Sequence, residues 1–263
     1  MAEPSLPHSP FAGRIEFSVD PELRSIAPHK LARVLEAHEL YVQSGQRSGK
    51  RANLDATYLA GQTFAGMKLW HIRLQRANLA GADFRGADLR RAILIGASLR
   101  GGRLCAADLT RARLSGINLT DADCREACLA EADIEFAIMA NADFRDANFH
   151  DADMSGVILD GADLRGAVLR RVNLRGASFE NTRLRGADLR DAQMGGALLA
   201  RTSFEGADLR GAYLRIARFD RTDLSGADLR GARGLTMAQI RSTIRDADTH
   251  LPHELISEPG DGH

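Results

Sequence analysis

The chain has 263 residues, 44 % of them hydrophobic, and its 35 Lys and Arg are balanced by 35 Asp and Glu. A folded chain without net charge has no global field with which to concentrate nucleic acid, an anionic membrane or a basic partner, so partner choice must come from local surface. No apolar run approaches the ~20 residues of a membrane-spanning helix, MAEPSLPHSPFAG is no signal sequence, and the odd set Cys105, Cys124 and Cys128 fits reduced thiols, so a cytoplasmic protein is expected.

In chain order, residues 1–13 are polar and Pro-rich and are predicted to be disordered. Residues 14–51 read as an N-terminal cap. Ile15, Phe17 and Val19 alternate with polar residues as in a strand, and Asp20-Pro21 suits the start of a short helix. Leu31, Val34, Leu35 and His38 form one stripe of a helix from about Pro28 to Val42. The loop SGQRSGK follows. It is not a phosphate loop, because it has three residues rather than four between its glycines and Arg51 instead of a hydroxyl after the Lys.

From Leu54 to Leu229 every fifth residue, 36 in all, is Leu, Phe, Met, Ile or Cys. Two residues before each, Ala stands in 25 of the 36 units, and Gly ends 17 of them. A period of five fits neither a helix of about 3.6 residues per turn nor a strand that alternates. It fits a short extended side with two inward residues, followed by a corner. Corners that all bend one way close the chain into coils, which stack at a strand-like ~4.8 Å.

The unit A-(D/N)-L-x-x, unbroken over residues 52–231, resembles the pentapeptide repeat family. The resemblance implies an all-β solenoid: a right-handed quadrilateral β-helix with four units per coil, here about nine coils and ~43 Å long at ~4.8 Å per coil. Residues twenty apart then stack, and the column Phe64, Phe84, Leu104, Cys124, Phe144, Leu164, Leu184, Phe204, Leu224 reads as core packing.

Residues 232–251 read as a C-terminal capping helix, with Thr236 and Gln239 as a capping box and Met237, Ile240 and Ile244 on one face. In some relatives this end makes a homodimer, so the resemblance makes one possible here. Residues 252–263 are predicted to be a disordered tail.

No catalytic, cofactor or metal constellation emerges, and the chain reads as a non-enzyme. His250 and His253 are separated by Leu251-Pro252, which prevents one-face helical ligation, and Cys124 points inward while Cys105 and Cys128 point outward. The outer surface is more informative. The residue after each centre is Arg in 13 of the 36 units. Arg125, Arg145, Arg165 and Arg185 make one column and Arg170, Arg190, Arg210 and Arg230 another, with Asp123, Asp143, Asp163, Asp188, Asp208 and Asp228 beside them. These eight arginines are the candidate contacts for an unknown protein partner of a bacterial, cytoplasmic scaffold; a solvated, self-neutralised charge lattice is the plainer reading.

The alternative that the family suggests is a DNA mimic that binds DNA gyrase or topoisomerase IV, as quinolone-resistance proteins do. A mimic of ~43 Å calls for on the order of 25 excess negative charges, whereas residues 52–231 hold 24 acids and 25 bases. Direct nucleic-acid binding is disfavoured by the aspartates beside the arginines.

Overall fold

The computed structural model describes residues 23–256. The strand expected over Ile15–Val19, the Asp20-Pro21 start and the terminal stretches 1–13 and 257–263 lie outside the described residues.

Parallel β-bridges join each residue preceding a central position to the residue twenty further on, from Asn53↔Arg73 to Tyr213↔Arg233. Each twenty-residue level therefore stacks on the next with four five-residue sides. The central side chains from Leu54 to Leu229 are buried, with the exception of Phe219, which is partly buried against the core. Among the described residues the three helices lie outside the repeat: α1 (Pro28–Gln43), α2 (Met237–Arg241) and α3 (His253–Ile256).

The backbone accounts for the consensus. In the unit around Leu79, Leu79 N–H donates to Ser98 O of the next level and Asn78 N–H to Thr57 O of the preceding one. Gly81 N–H donates to Arg100 O, and Ala82 N–H closes the corner onto Leu79 O. One donor per unit is left, that of the residue after the centre. The side chain at the Asp/Asn position takes it, as Asn78 Oδ1 does from Ala80 N–H at 3.1 Å and Asp83 Oδ1 from Arg85 N–H at 3.1 Å. Asp and Asn are thus favoured because they satisfy the one amide that the ladder cannot reach.

Every corner from Ala56 to Gly231 has its second residue at positive φ, and 19 of these 36 residues are not glycine. The corner hydrogen bond spans four residues with positive φ only at the third, the pattern of a type II turn. At Gly186, φ is +66° and an added Cβ would meet nothing within 4 Å. Gly186→Ala is therefore expected to cost only the backbone term, about 1–2 kcal/mol, and Ala106→Gly, starting from φ 55°, to recover about as much; paired urea titrations check both.

The two ends differ from the repeat. The Arg24 backbone pairs with the first level, donating to Ala56 O at 2.7 Å and accepting from Tyr58 N–H at 3.0 Å. Helix α1 extends to Gln43, and its stripe faces the rod: Leu31 and His38 are buried and Val34 and Leu35 pack against the core. His38 Nδ1 accepts from Ala52 N–H at 3.2 Å, and burial pushes its pKa below the ordinary histidine value. Gln62 and Met67 occupy inward positions of the repeat but are exposed. They belong to the first level, where no earlier level lies beneath them.

The capping box at Thr236 and Gln239 forms as expected, and Gln239 Nε2 donates to Ala217 O at 2.9 Å and Leu214 O at 3.3 Å, covering corner carbonyls of the last level. The helix stops at Arg241, so the expected helical face through Ile244 is corrected. Ile244 instead bridges Asp223, and His250 bridges Asp228. These two bridges extend the ladder because the last level still presents unpaired strand edges. Structure also continues past residue 251: Leu251 and Leu255 pack on the core and Pro252 is buried, which corrects the disordered reading for 252–256.

Candidate functional site

All eight candidate arginines stand on two walls of the rod, and each has an acidic partner. Arg145 Nε and Nη2 grip Asp143 at 2.9 and 2.6 Å, and Arg165 holds Asp163 in the same forked way at 2.8 and 2.6 Å. Arg125 does likewise with Asp123, both bonds at 2.8 Å. Arg185 departs from this pattern because Arg183 stands where an Asp would, and it reaches Glu205 at 3.5 Å.

On the other wall, Arg190, Arg210 and Arg230 fork onto Asp188, Asp208 and Asp228. Arg170 follows Val168, so it crosses to Asp188 of the next level at 2.5 Å. Arg190 and Arg210 also reach across levels, to Asp208 at 3.5 Å and Asp228 at 3.7 Å. The same aspartates accept the corner amide, as Asp143 Oδ1 does from Arg145 N–H at 3.1 Å. Each Asp therefore closes its corner and holds the guanidinium along the wall. The guanidinium groups stay partly in solvent, and such pairs contribute little individually to stability.

Their electrostatics are directional. The hydrogen bond from Arg85 is the main cause that lowers Asp83 to about 2. The bonds from Arg125, Arg210 and Arg230 likewise lower Asp123, Asp208 and Asp228. A carboxylate whose folded pKa is depressed stabilises the fold above its unfolded pKa, and that contribution is lost as pH falls through the folded value. The urea midpoint is therefore expected to drop between about pH 4 and about pH 2, with Asp83→Asn removing its share of the slope.

A small hollow on one arginine wall is lined by His150, Arg170, Arg171, Arg190 and Asp191. A second, shallow hollow where α1 meets the rod is lined by Val42, Trp70, Asp88, Arg90, Arg91, Thr110 and Arg111. Arg90 is engaged by Asp88 and Arg111 by Glu131. Among the described residues no group of three or more His, Cys, Asp or Glu side chains could hold a metal ion, and no helix is long and apolar enough to cross a membrane. Cys124 is buried, and Cys105 and Cys128 are half-buried free thiols, with Cys128 Sγ 3.3 Å from Thr110 Oγ1.

The sequence reading passed over one outward feature. Phe136 and Ile216 are 68 % and 73 % exposed and sit at corner positions with φ 56°. Their column begins with Ala56 and Arg76 and otherwise runs through Gly96, Gly116, Gly156, Gly176 and Gly196. The signal was there in the repeat register: two large apolar residues at the one position where the chain prefers glycine.

These features define a solenoid of stacked, four-cornered coils with a filled interior and a patterned, neutral exterior. The family model for pentapeptide repeats matches residues 52–233 in overlapping segments, and the chain belongs to that family. Among solved structures, HetL, a pentapeptide repeat protein involved in heterocyst differentiation regulation from the cyanobacterium Nostoc sp. strain PCC 7120, is 28% identical. The alignment covers 83% of this chain and 92% of that one, with a TM-score of 0.46. QnrB1, a plasmid-mediated fluoroquinolone resistance protein, is 20% identical over 75% of this chain and 91% of its own, with a TM-score of 0.38. No curated protein is matched.

Proposed function

We propose that this protein is a non-catalytic, cytoplasmic scaffold: a right-handed rod of nine coils that offers its outer walls to another protein. The observation that carries this reading is the double column of forked Arg–Asp pairs, fixed by corner bonds at strand-like intervals. A guanidinium held by one carboxylate still has N–H groups directed outward, and a row of them at ~4.8 Å spacing suits acidic or carbonyl-rich protein surface.

The topoisomerase reading draws no support from this surface, because the arginines neutralise the carboxylates that a DNA mimic would have to display.

Reversing Arg145, Arg165 and Arg185 to Glu together is expected to abolish capture of the partner from a lysate of the source organism while leaving a cooperative unfolding transition. Undiminished capture by a folded triple variant would sink the assignment. Inhibition of gyrase supercoiling by the wild type at micromolar concentration would instead favour the alternative.

A further inference from the structure

The corner of Phe136 and Ile216 presents a cost without a return inside the chain. A large side chain at positive φ is strained, and the strain is worst for a β-branched residue such as Ile216. The fold rewards neither residue with burial, although glycine fills the same column at 156, 176 and 196. The Phe136 ring leans over Gly156, where an added Cβ would come within 2.7 Å of it, and Ile216 Cδ1 lies 3.9 Å from the Cβ position of Gly196. Two apolar knobs therefore stand four levels apart, ~19 Å at ~4.8 Å per level, and lean toward each other across a glycine floor centred on Gly176. The wall that follows this corner carries Ile138, Ile158 and Leu198 outward, each half-buried.

We infer that this face is a lateral, antiparallel homodimer interface, with a two-fold axis crossing the rod at the level of Gly176. Phe136 and Ile216 are equidistant from that level in the repeat. The axis therefore sets Phe136 of each copy against Ile216 of the other, and Ile158 against Leu198. It also opposes Glu135 and Arg215, the residues that precede the two knobs in the chain. Neither has an ion-pair partner among the described residues, and Glu135 has only a 3.5 Å contact from Ser155 Oγ. A parallel pairing of the same faces would put Glu135 on Glu135 and Arg215 on Arg215, so charge complementarity selects the antiparallel arrangement. Arg175 lies on the rim at the axis level, turned along its own wall by its bond to Gln193 Oε1 at 3.1 Å.

The test is sedimentation velocity of the full chain across the micromolar range. A reversible dimer is expected for the wild type. Phe136→Gly, Ile216→Gly, Glu135→Arg and Arg215→Glu should each weaken it by about tenfold or more, since symmetry counts every substitution twice. The double variant Glu135→Arg with Arg215→Glu should restore most of the loss, and only a direct pairing of the two sites predicts that. Glycine already fills five of the nine positions of this column, so the glycine variants should keep their cooperative unfolding transition. A monomer throughout the range would overturn the inference. So would a dimer indifferent to these four substitutions, such as one joined end to end through the C-terminal cap, or a wild-type monomer whose face is covered by a different protein. Loss of partner capture on reversing the arginines with the dimer intact, or the converse, separates this inference from the scaffold proposal.

Discussion

Phe144→Ala is expected to remove about 3–5 kcal/mol of stability and to split a single unfolding transition into two. The ring is fully buried and meets Phe149 edge-on, with centroids 5.2 Å apart. It stands between Cys124 and Leu164 in its column, both fully enclosed. The cost should fall at the upper end of the range because the cavity cannot close. The walls around it are tied level by level, with Phe144 N–H donating to Asp163 O at 2.7 Å and Asp143 N–H to Ala122 O at 2.9 Å, so collapse would break the ladder. In a repeat rod each level touches only its neighbours, so a weak level in the middle uncouples the two halves. Urea titration followed by hydrogen exchange should show levels on either side of residue 144 opening at different denaturant concentrations. A loss below about 1 kcal/mol would mean that the levels close over the lost ring far more completely than an ordinary core does.

The second large effect is expected at Gly49, where alanine should cost about 2–4 kcal/mol, concentrated in the N-terminal cap. Its φ is +79°, and an added Cβ would fall 2.5 Å from Tyr41 N and 2.9 Å from Leu40 Cβ, and against Ala37 O. These are backbone and Cβ atoms of α1, which cannot swing aside as a long side chain could. Lys50 N–H donates to the same Ala37 carbonyl at 2.9 Å, and the residue after Ala37 is the buried His38. Relieving the clash should lift α1 from the first level. Amides of α1 are expected to lose exchange protection while those of the mid-rod ladder keep theirs. Equal loss along the whole rod would show that the cap and the repeat unfold as one. The contrast with Gly186, which has the same left-handed backbone but open space around it, isolates the close approach from the strain.

The repeating interior was legible in the sequence because a solenoid writes its geometry into a period. The five-residue spacing of Leu164, Leu169, Leu174 and Phe179 places successive centres on successive sides, and all four are fully buried. What the period could not convey is what lies above and below a given residue. Gln62 and Met67 obey the register yet are exposed for want of a level beneath them. Ile244 has helical spacing from Ile240 but joins the ladder, because the edge of the last level competes for its backbone.

The charge lattice was half legible. The pairing of Asp143 with Arg145 follows from their spacing, whereas the crossings from Arg170 to Asp188 and from Arg185 to Glu205 depend on the side chains at positions 168 and 183. The structural duty of the aspartates was hidden altogether, since it appears only when every amide of the unit is assigned a partner. Phe136 and Ile216 were visible as letters, but their meaning depends on knowing that the corner faces water and is left-handed.

The twenty-residue bridge offset also makes length a discrete variable. Excising one whole level would shorten the rod by ~4.8 Å and leave each downstream residue on its original wall. Removing a single five-residue unit would barely alter the length but would rotate everything beyond it by a quarter turn, carrying the downstream arginines to a different wall from those upstream. Relatives of this chain should therefore differ in length by twenties where the outer walls matter, and by fives only where they do not.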